Sequence, residues 1–148
     1  MARILVVDDN PDIRLLVSTI LQDEGYDVQV AIDGRDALRI LETENPDAIV
    51  LDVMMPEMDG YGVLRQLRAT GRASKARVLM LTARNNEADW LRGYQSGANQ
   101  YLTKPFDPDE LIAAVQKLLL MAPDQLTNHR QDELDRAQLL SRIESLLG

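Results

Sequence analysis

Short apolar runs alternate along the chain with longer stretches in which apolar residues recur every three or four positions. The runs predict five strands, at residues 3–7, 26–31, 48–52, 77–81 and 100–103. Between them, the three-to-four-residue period predicts helices, and it is clearest on one face of residues 11–24. Strands that alternate with helices are typical of a parallel sheet covered on both faces. We therefore expect an α/β fold with five flanking helices.

The order of the strands follows from their patterns. Residues 3–7 are almost uniformly apolar and suit the centre of the sheet, whereas residues 26–31 alternate like an edge strand. These patterns predict a flavodoxin-like, doubly wound five-stranded sheet in the order 2-1-3-4-5, with a switch point between the first and third strands. Ligands bind at that point, outside the carboxyl ends of the strands. Asp8 and Asp9 follow the first strand and Asp52 ends the third, so we expect these three carboxylates to converge.

Composition narrows the range of functions. The 148 residues include 24 acidic and 16 basic side chains, for a formal net charge of −8, which argues against direct binding to nucleic acid. The chain has no cysteine, which excludes disulfides and thiolate metal sites and is compatible with a reducing compartment. Its apolar runs are too short to span a bilayer, and no cleavable leader is evident. We expect a cytoplasmic protein that makes no membrane contact.

A boundary at Pro123 divides the chain into a predicted domain, residues 1–121, and a tail, residues 122–148. The tail reads as a polar connector over residues 124–131 and an amphipathic helix from Asp132. The helix carries an apolar stripe that must be covered, and its residues are Leu134, Ala137, Leu140, Ile143 and Leu147. We favour pairing with a second molecule over docking on the domain, so a homodimer is expected. The chain is either a stand-alone protein with an accessory helix or the front part of a longer one.

The residues at the strand ends suggest a chemistry. Three carboxylates in one crevice repel one another unless a cation lies among them, and oxygen ligands without histidine or cysteine favour Mg²⁺. Thr82, after the fourth strand, offers a hydroxyl to a phosphoryl oxygen, and Lys104, after the fifth, offers an ammonium group. Acid, metal, hydroxyl and ammonium together point to the transfer of a phosphoryl group onto a carboxylate.

Over residues 1 to about 121 the chain resembles the receiver domain of bacterial two-component response regulators. The motifs fall in the family's order, and they are Asp8-Asp9, the stretch from Leu51 to Gly60, Thr82-Ala83 and Lys104-Pro105-Phe106. The resemblance implies a phosphorelay signalling domain in which Asp52 accepts a phosphoryl group from a histidine kinase or phosphotransfer protein. It implies no enzyme activity beyond the domain's own phosphorylation and dephosphorylation.

The resemblance also implies a ligand set. Asp9 and Asp52 would bind Mg²⁺ directly, Asp8 would help through water, and Met54 would contribute its backbone carbonyl. The Lys104–Pro105 peptide bond would be cis.

A switch and a partner face follow from the same resemblance, with Thr82 and Tyr101 as switch residues. Phosphorylation would change what binds the face formed by the fourth helix, the fifth strand and the fifth helix, whether a downstream protein, an output domain or a second copy. Trp90 and Tyr94 lie one turn apart in the fourth predicted helix, so with Tyr101 we expect an exposed aromatic patch. A Trp90 ring that lies flat on the domain and binds nothing remains the alternative.

Two other classes of function fit less well. Phosphatases of the haloacid-dehalogenase type also use Mg²⁺ and a strand-end aspartate such as Asp52, but they carry a second acid two residues on, where this chain has Met54. A flavodoxin-like FMN binder would need a phosphate-binding loop after the first strand. Asp8 and Asp9 stand there and would repel the phosphate.

Overall fold

The computed structural model describes residues 2–55, 58–69, 76–83 and 97–147, and for residues 123, 124 and 126–130 it describes the backbone alone. Its strands are β1 (Arg3–Val7), β2 (Asp27–Ala31), β3 (Ala48–Asp52), β4 (Arg77–Thr82) and β5 (Gln100–Thr103). Its helices are α1 (Pro11–Asp23), α2 (Gly34–Leu41), α3 (Gly60–Ala69), α4 (Pro108–Leu120) and α5 (Pro123–Leu147). The fourth predicted helix, which would hold Trp90 and Tyr94, lies outside the described residues.

The five strands form one parallel sheet in the order β2-β1-β3-β4-β5, which confirms the predicted flavodoxin-like topology. All five residues of the central strand β3 are buried, whereas Ala31 is the one buried residue of the edge strand β2. Val7 of β1 pairs with Leu51 of β3, so the residues that follow each strand emerge side by side. This register positions the carboxyl ends at which the acids were predicted to meet.

Alternate residues of each strand face opposite sides of the sheet, and a core cluster lies on each side. Leu5 and Val7 of β1 belong to the cluster covered by α2 and α3, while Ile4 and Val6 belong to the cluster covered by α1 and α4. Because helices cover both faces, the inner strands β1, β3 and β4 are apolar on both sides, whereas the edge strand β2 alternates, as the sequence predicted.

The predicted ends of two helices are also found. The Asn10 side chain caps α1 by accepting the backbone N–H groups of Asp12, at 2.9 Å, and Ile13, at 3.3 Å. At the start of α4, Asp107 and Glu110 form a reciprocal capping box around Pro108. These ends were readable from sequence because each depends on residues within one helical turn.

The tail differs from the prediction in two ways. The polar segment 124–131 is helical, and α5 runs unbroken for 25 residues from Pro123, because proline is well accommodated in a helix's first turn. The helix also docks on its own chain, since Leu134 packs against the α2/α3 core cluster and Ala137 is buried. Ile143 and Leu147, further along the stripe, remain exposed. Among the described helices, none is apolar over enough of its length to cross a membrane.

Candidate functional site

The three predicted acids meet at the carboxyl edge of the sheet. One carboxylate oxygen from each of Asp8, Asp9 and Asp52 lies within 4.8 Å of the other two. Asp8 and Asp52 are buried, at 1% and 4% relative exposure, whereas Asp9 is exposed. The cluster therefore has two acids in the floor of the crevice and one at its rim.

Lys104 supplies a positive charge to this cluster. Its Nζ atom lies 3.1 Å from Oδ1 of Asp52 and 3.4 Å from Oδ2 of Asp8. The backbone holds it there, because the Lys104 N–H donates to the carbonyl of Thr82 at 2.7 Å. The Lys104–Pro105 peptide bond is cis, as the resemblance implied. One ammonium group therefore contacts two buried carboxylates.

Asp8 is fixed by the turn that begins α1. Its Oδ1 atom accepts the backbone N–H of Asn10 at 2.9 Å, and its backbone carbonyl accepts Nη1 of Arg14 at 2.8 Å. The sequence analysis did not single out Arg14. The sequence did carry a signal, because Asp8 and Asp9 precede α1 and a basic residue in the first turn of that helix can reach back to them.

Burial raises the pKa of Asp52, and the negative charge of Asp8 raises it further. The ammonium of Lys104 and a hydrogen bond from the Met54 backbone oppose this shift without cancelling it. The carboxylate form of Asp52 is therefore destabilised where it stands. A cation bound to this carboxylate would relieve that destabilisation.

The loop after Asp52 is held closely against α3. The Val53 N–H donates to the Leu81 carbonyl at 3.0 Å, and the Gly60 N–H donates to the Val53 carbonyl at 3.0 Å. A Cβ atom at position 60 would collide with the backbone carbonyl oxygen of Asp52, so only glycine fits there. This contact accounts for the glycine that closes the motif after Asp52.

The donor set fits a hard divalent cation. Three carboxylates converge without a nitrogen or sulfur ligand from the cluster itself, which suits Mg²⁺ better than the transition metals. The thioether sulfur of Met54 is a soft ligand that Mg²⁺ disfavours, so this residue could contribute only its backbone carbonyl.

The predicted switch residues lie on neighbouring strands. Thr82, fully buried at the end of β4, pairs in register with Thr103 of β5. Tyr101 is half-buried rather than exposed, because its ring packs against the α2/α3 core cluster and its hydroxyl donates to the Tyr61 hydroxyl at 3.0 Å. Tyr101 is therefore less exposed than the expected aromatic patch requires, and the other two predicted members of the patch lie outside the described residues. Sequence reasoning had not singled out Tyr61.

Comparison with known proteins identifies the family of this chain. The sequence profile of the response regulator receiver domain matches residues 4–116. The chain belongs to the response regulator receiver family. This receiver is similar to the DNA-binding dual master transcriptional regulator RpaA of Synechocystis sp., with 47% identity over 119 residues, which are 80% of the chain and 49% of that protein. The chain thus spans about half the length of the curated relatives it matches.

Solved structures agree with the fold of the receiver. The chemotaxis response regulator CheY4 of Vibrio cholerae superposes with a TM-score of 0.77 at 38% identity, covering 80% of this chain and 98% of that one. The receiver domain of the sensor histidine kinase PA1611 of Pseudomonas aeruginosa superposes with a TM-score of 0.74 at 35% identity, covering 80% and 97%. That structure has a magnesium ion coordinated in its active-site cleft.

Proposed function

We propose that Asp52 accepts a phosphoryl group from the phosphohistidine of a histidine kinase or a phosphotransfer protein, in a reaction that depends on Mg²⁺. The observation that carries this proposal is the buried Asp52 carboxylate at the end of β3, which shares one crevice with Asp8, Asp9 and the Lys104 ammonium. Neither a solvated surface aspartate nor an ordinary buried ion pair would need two further acids at this distance.

In the proposed reaction an oxygen of Asp52 forms a bond to phosphorus while the bond from phosphorus to the donor's histidine nitrogen breaks. Lys104, now 3.1 Å from Asp52, would follow the negative charge to a phosphoryl oxygen, and the Thr82 hydroxyl would donate to another. Asp9 and Asp52, the backbone carbonyl of Met54 and, through water, Asp8 would hold Mg²⁺. The ion would neutralise charge on the phosphoryl oxygens.

The phosphatase alternative has less support. A phosphatase of the haloacid-dehalogenase type would place a general acid two residues after its nucleophile, and Met54 carries no ionisable group. The acyl phosphate formed here would therefore act as a signal, with Asp52 as acceptor, rather than as an intermediate in substrate turnover.

The partner face consists of the fourth predicted helix, β5 and α4, which is the fifth predicted helix. Phosphorylation would change which protein binds this face, and the change would act through Thr82 and Tyr101. The protein that binds this face would be a downstream target or an output domain of a longer regulator, since the chain spans half the length of its relatives. Residues 1–121 would form the switching domain, and α5 would follow as an accessory or linker helix.

Modification by a small-molecule phosphodonor tests the phosphoacceptor. With acetyl phosphate and Mg²⁺, intact mass should show one phosphoryl adduct on the wild type and none on Asp52→Asn. Asp47→Asn, an exposed acid at the start of β3, is the matched control and should be modified like the wild type. An adduct that persists on Asp52→Asn would exclude Asp52 as the acceptor.

The tail offers a second copy a contact surface distinct from the one that docks on the receiver. Leu139, Ile143 and Leu146 are 55%, 42% and 86% exposed, whereas Leu134 and Ala137 are covered within the chain. If the exposed leucines and isoleucine pair two molecules, the full chain should sediment as a dimer and Ile143→Lys should sediment as a monomer. A wild-type chain that is monomeric at high micromolar concentration would exclude dimerisation through the tail.

A further inference from the structure

Tyr61 is a buried tyrosine at the start of α3 whose hydroxyl reaches the fifth strand. Its side chain is 1% exposed and is one of the largest fully buried groups in the described part of the chain. The Tyr101 hydroxyl donates to it at 3.0 Å, across 40 residues of sequence. A tyrosine buried this deeply needs a partner for its hydroxyl, and Tyr101 provides one.

The backbone of Tyr61 is connected, through Gly60, to the loop that follows Asp52. Tyr61 directly follows Gly60, whose N–H donates to the Val53 carbonyl, and position 60 lies too close to the Asp52 carbonyl for a side chain. A shift of the backbone after Asp52 therefore displaces the first turn of α3, because no free space separates the two segments.

We propose that Tyr61 is the positioning residue for Tyr101, so that the hydroxyl pair carries a change at Asp52 through α3 to the fifth strand. This inference rests on the proposed function, and it adds a second connection to the one through Thr82. Thr82 connects to β5 because it pairs in register with Thr103. Tyr61 connects to β5 through its hydroxyl contact with Tyr101, and it lies next to Gly60, which bonds to the loop after Asp52. Tyr61 acts through Tyr101 and is not itself a catalytic residue.

A double-mutant cycle on the full chain tests the coupling. The variants Tyr61→Phe, Tyr101→Phe and the double variant each keep the aromatic rings and remove hydroxyls. Tyr26→Phe is the matched control, since Tyr26 is a partly buried tyrosine that packs against the other core cluster. Beryllium fluoride with Mg²⁺ serves as the phosphoryl mimic, and its apparent affinity is measured by titration. The fluorine resonance of 3-fluorotyrosine at position 101 reports the surroundings of that ring.

Each single phenylalanine variant at positions 61 and 101 should change the apparent affinity in the same direction, by roughly two- to ten-fold, the range that one hydrogen bond supports. The double variant should match either single variant instead of showing the product of both effects. Tyr61→Phe should also shift the Tyr101 resonance and reduce its response to the mimic, whereas Tyr26→Phe should behave as the wild type. A structural role for Tyr61 would lower the melting temperature without changing this response.

Two results would overturn the inference, and they differ in what else they overturn. In the first result, the wild type binds the mimic, and Tyr61→Phe has the same affinity and the same Tyr101 resonance response as the wild type. The same conclusion follows if the affinity change in the double variant equals the product of the changes in the two single variants. Either finding would show that Tyr61 does not position Tyr101. If the wild type shows no binding that Asp52→Asn removes, the proposed function fails as well.

Discussion

A basic residue lies in a group with three acids at the amino edge of the sheet and again at the carboxyl edge, and the two groups differ in burial. At the amino edge, Arg3 binds Glu44 at 3.1 Å and Asp27 at 3.7 Å, and its backbone N–H donates to Asp47 at 2.8 Å. At the carboxyl edge, Lys104 lies among Asp8, Asp9 and Asp52. Each of these two groups combines one basic side chain with three acids.

Exposure to water is what differs between them. The side chains of Arg3 and Asp27 are 52% and 61% exposed, whereas those of Asp8 and Asp52 are 1% and 6% exposed. Water screens the charges at the amino edge, whereas the buried carboxylates at the carboxyl edge are far less solvated. The charges of the acids therefore interact strongly where the fold buries them, and they form an ordinary solvated surface network where it does not.

The largest expected difference between the edges is their response to Mg²⁺. An ion that binds the folded chain at a hundredfold excess over its Kd stabilises it by about 2.7 kcal/mol, or roughly 5–10 °C in a chain of this size. Mg²⁺ should raise the melting temperature of the wild type, and Asp9→Ala should abolish the rise. Asp27→Ala, at the amino edge, should preserve it. A wild-type melting temperature that does not respond to millimolar Mg²⁺ would count against the proposed metal site.

Removing the basic side chain should lower stability more at the carboxyl edge, where it is Lys104, than at the amino edge, where it is Arg3. Lys104→Gln leaves two buried carboxylates without their counter-charge. Because the Lys104 side chain is 21% exposed, we expect a loss of about 1–3 kcal/mol in the free energy of unfolding in Mg²⁺-free buffer, less than a fully buried pair would cost. Urea unfolding monitored by circular dichroism would measure it. Combining Lys104→Gln with Asp52→Asn should recover part of the loss, and an unchanged loss in the combined variant would show that the ion pair is not its cause.

Removing an acid from the carboxyl edge should stabilise the folded protein, whereas removing one from the amino edge should not. Because the pKa of Asp52 is raised in the folded state, that state keeps a proton that the unfolded chain has already lost, and stability falls as pH rises from 3.8 through the raised pKa. Asp52→Asn should therefore be more stable than the wild type at neutral pH without Mg²⁺. Its advantage should shrink as pH falls toward 3.8, which a series of urea midpoints would show. Asp47→Asn, at the amino edge, should give no such gain.

The smallest effect is expected from Arg3→Gln. Its ion pairs are exposed, so the loss in the free energy of unfolding should be within about 1 kcal/mol and should decrease further in high salt. A loss as large as that of Lys104→Gln would refute the view that solvent exposure separates the two edges.

Much of the fold and of the crevice followed from local patterns in the sequence. The start of α1 at Asn10 and the capping box at Asp107 were readable because their hydrogen bonds join residues at most three positions apart. The meeting of Asp8 with Asp52 was predictable because parallel strands in a doubly wound sheet end at one edge. The resemblance to the receiver family then gave the expected roles of these residues.

Other contacts were not predictable because they join distant segments through side chains that have no periodic signature. Nothing in the stretch around Tyr61 indicates that its hydroxyl would meet that of Tyr101, 40 residues further along the chain. The tail shows the same limit, because an apolar stripe reveals that something must cover it but not what. Docking of Leu134 on its own chain depends on the shape of the folded domain.

The sequence by itself determined the order of the strands, the topology of the sheet and the residues that reach its carboxyl edge. These depend on hydrophobic periodicity and on the chemistry of turns, which act over a few residues. Only the tertiary structure decided that Asp8 and Asp52 would be buried beside one ammonium, that Tyr101 would turn inward onto Tyr61, and that two of the five residues in the tail's stripe would be covered. Burial and pairing of this kind result from packing between segments far apart in the chain, where complementary shape and the exclusion of water select the partners.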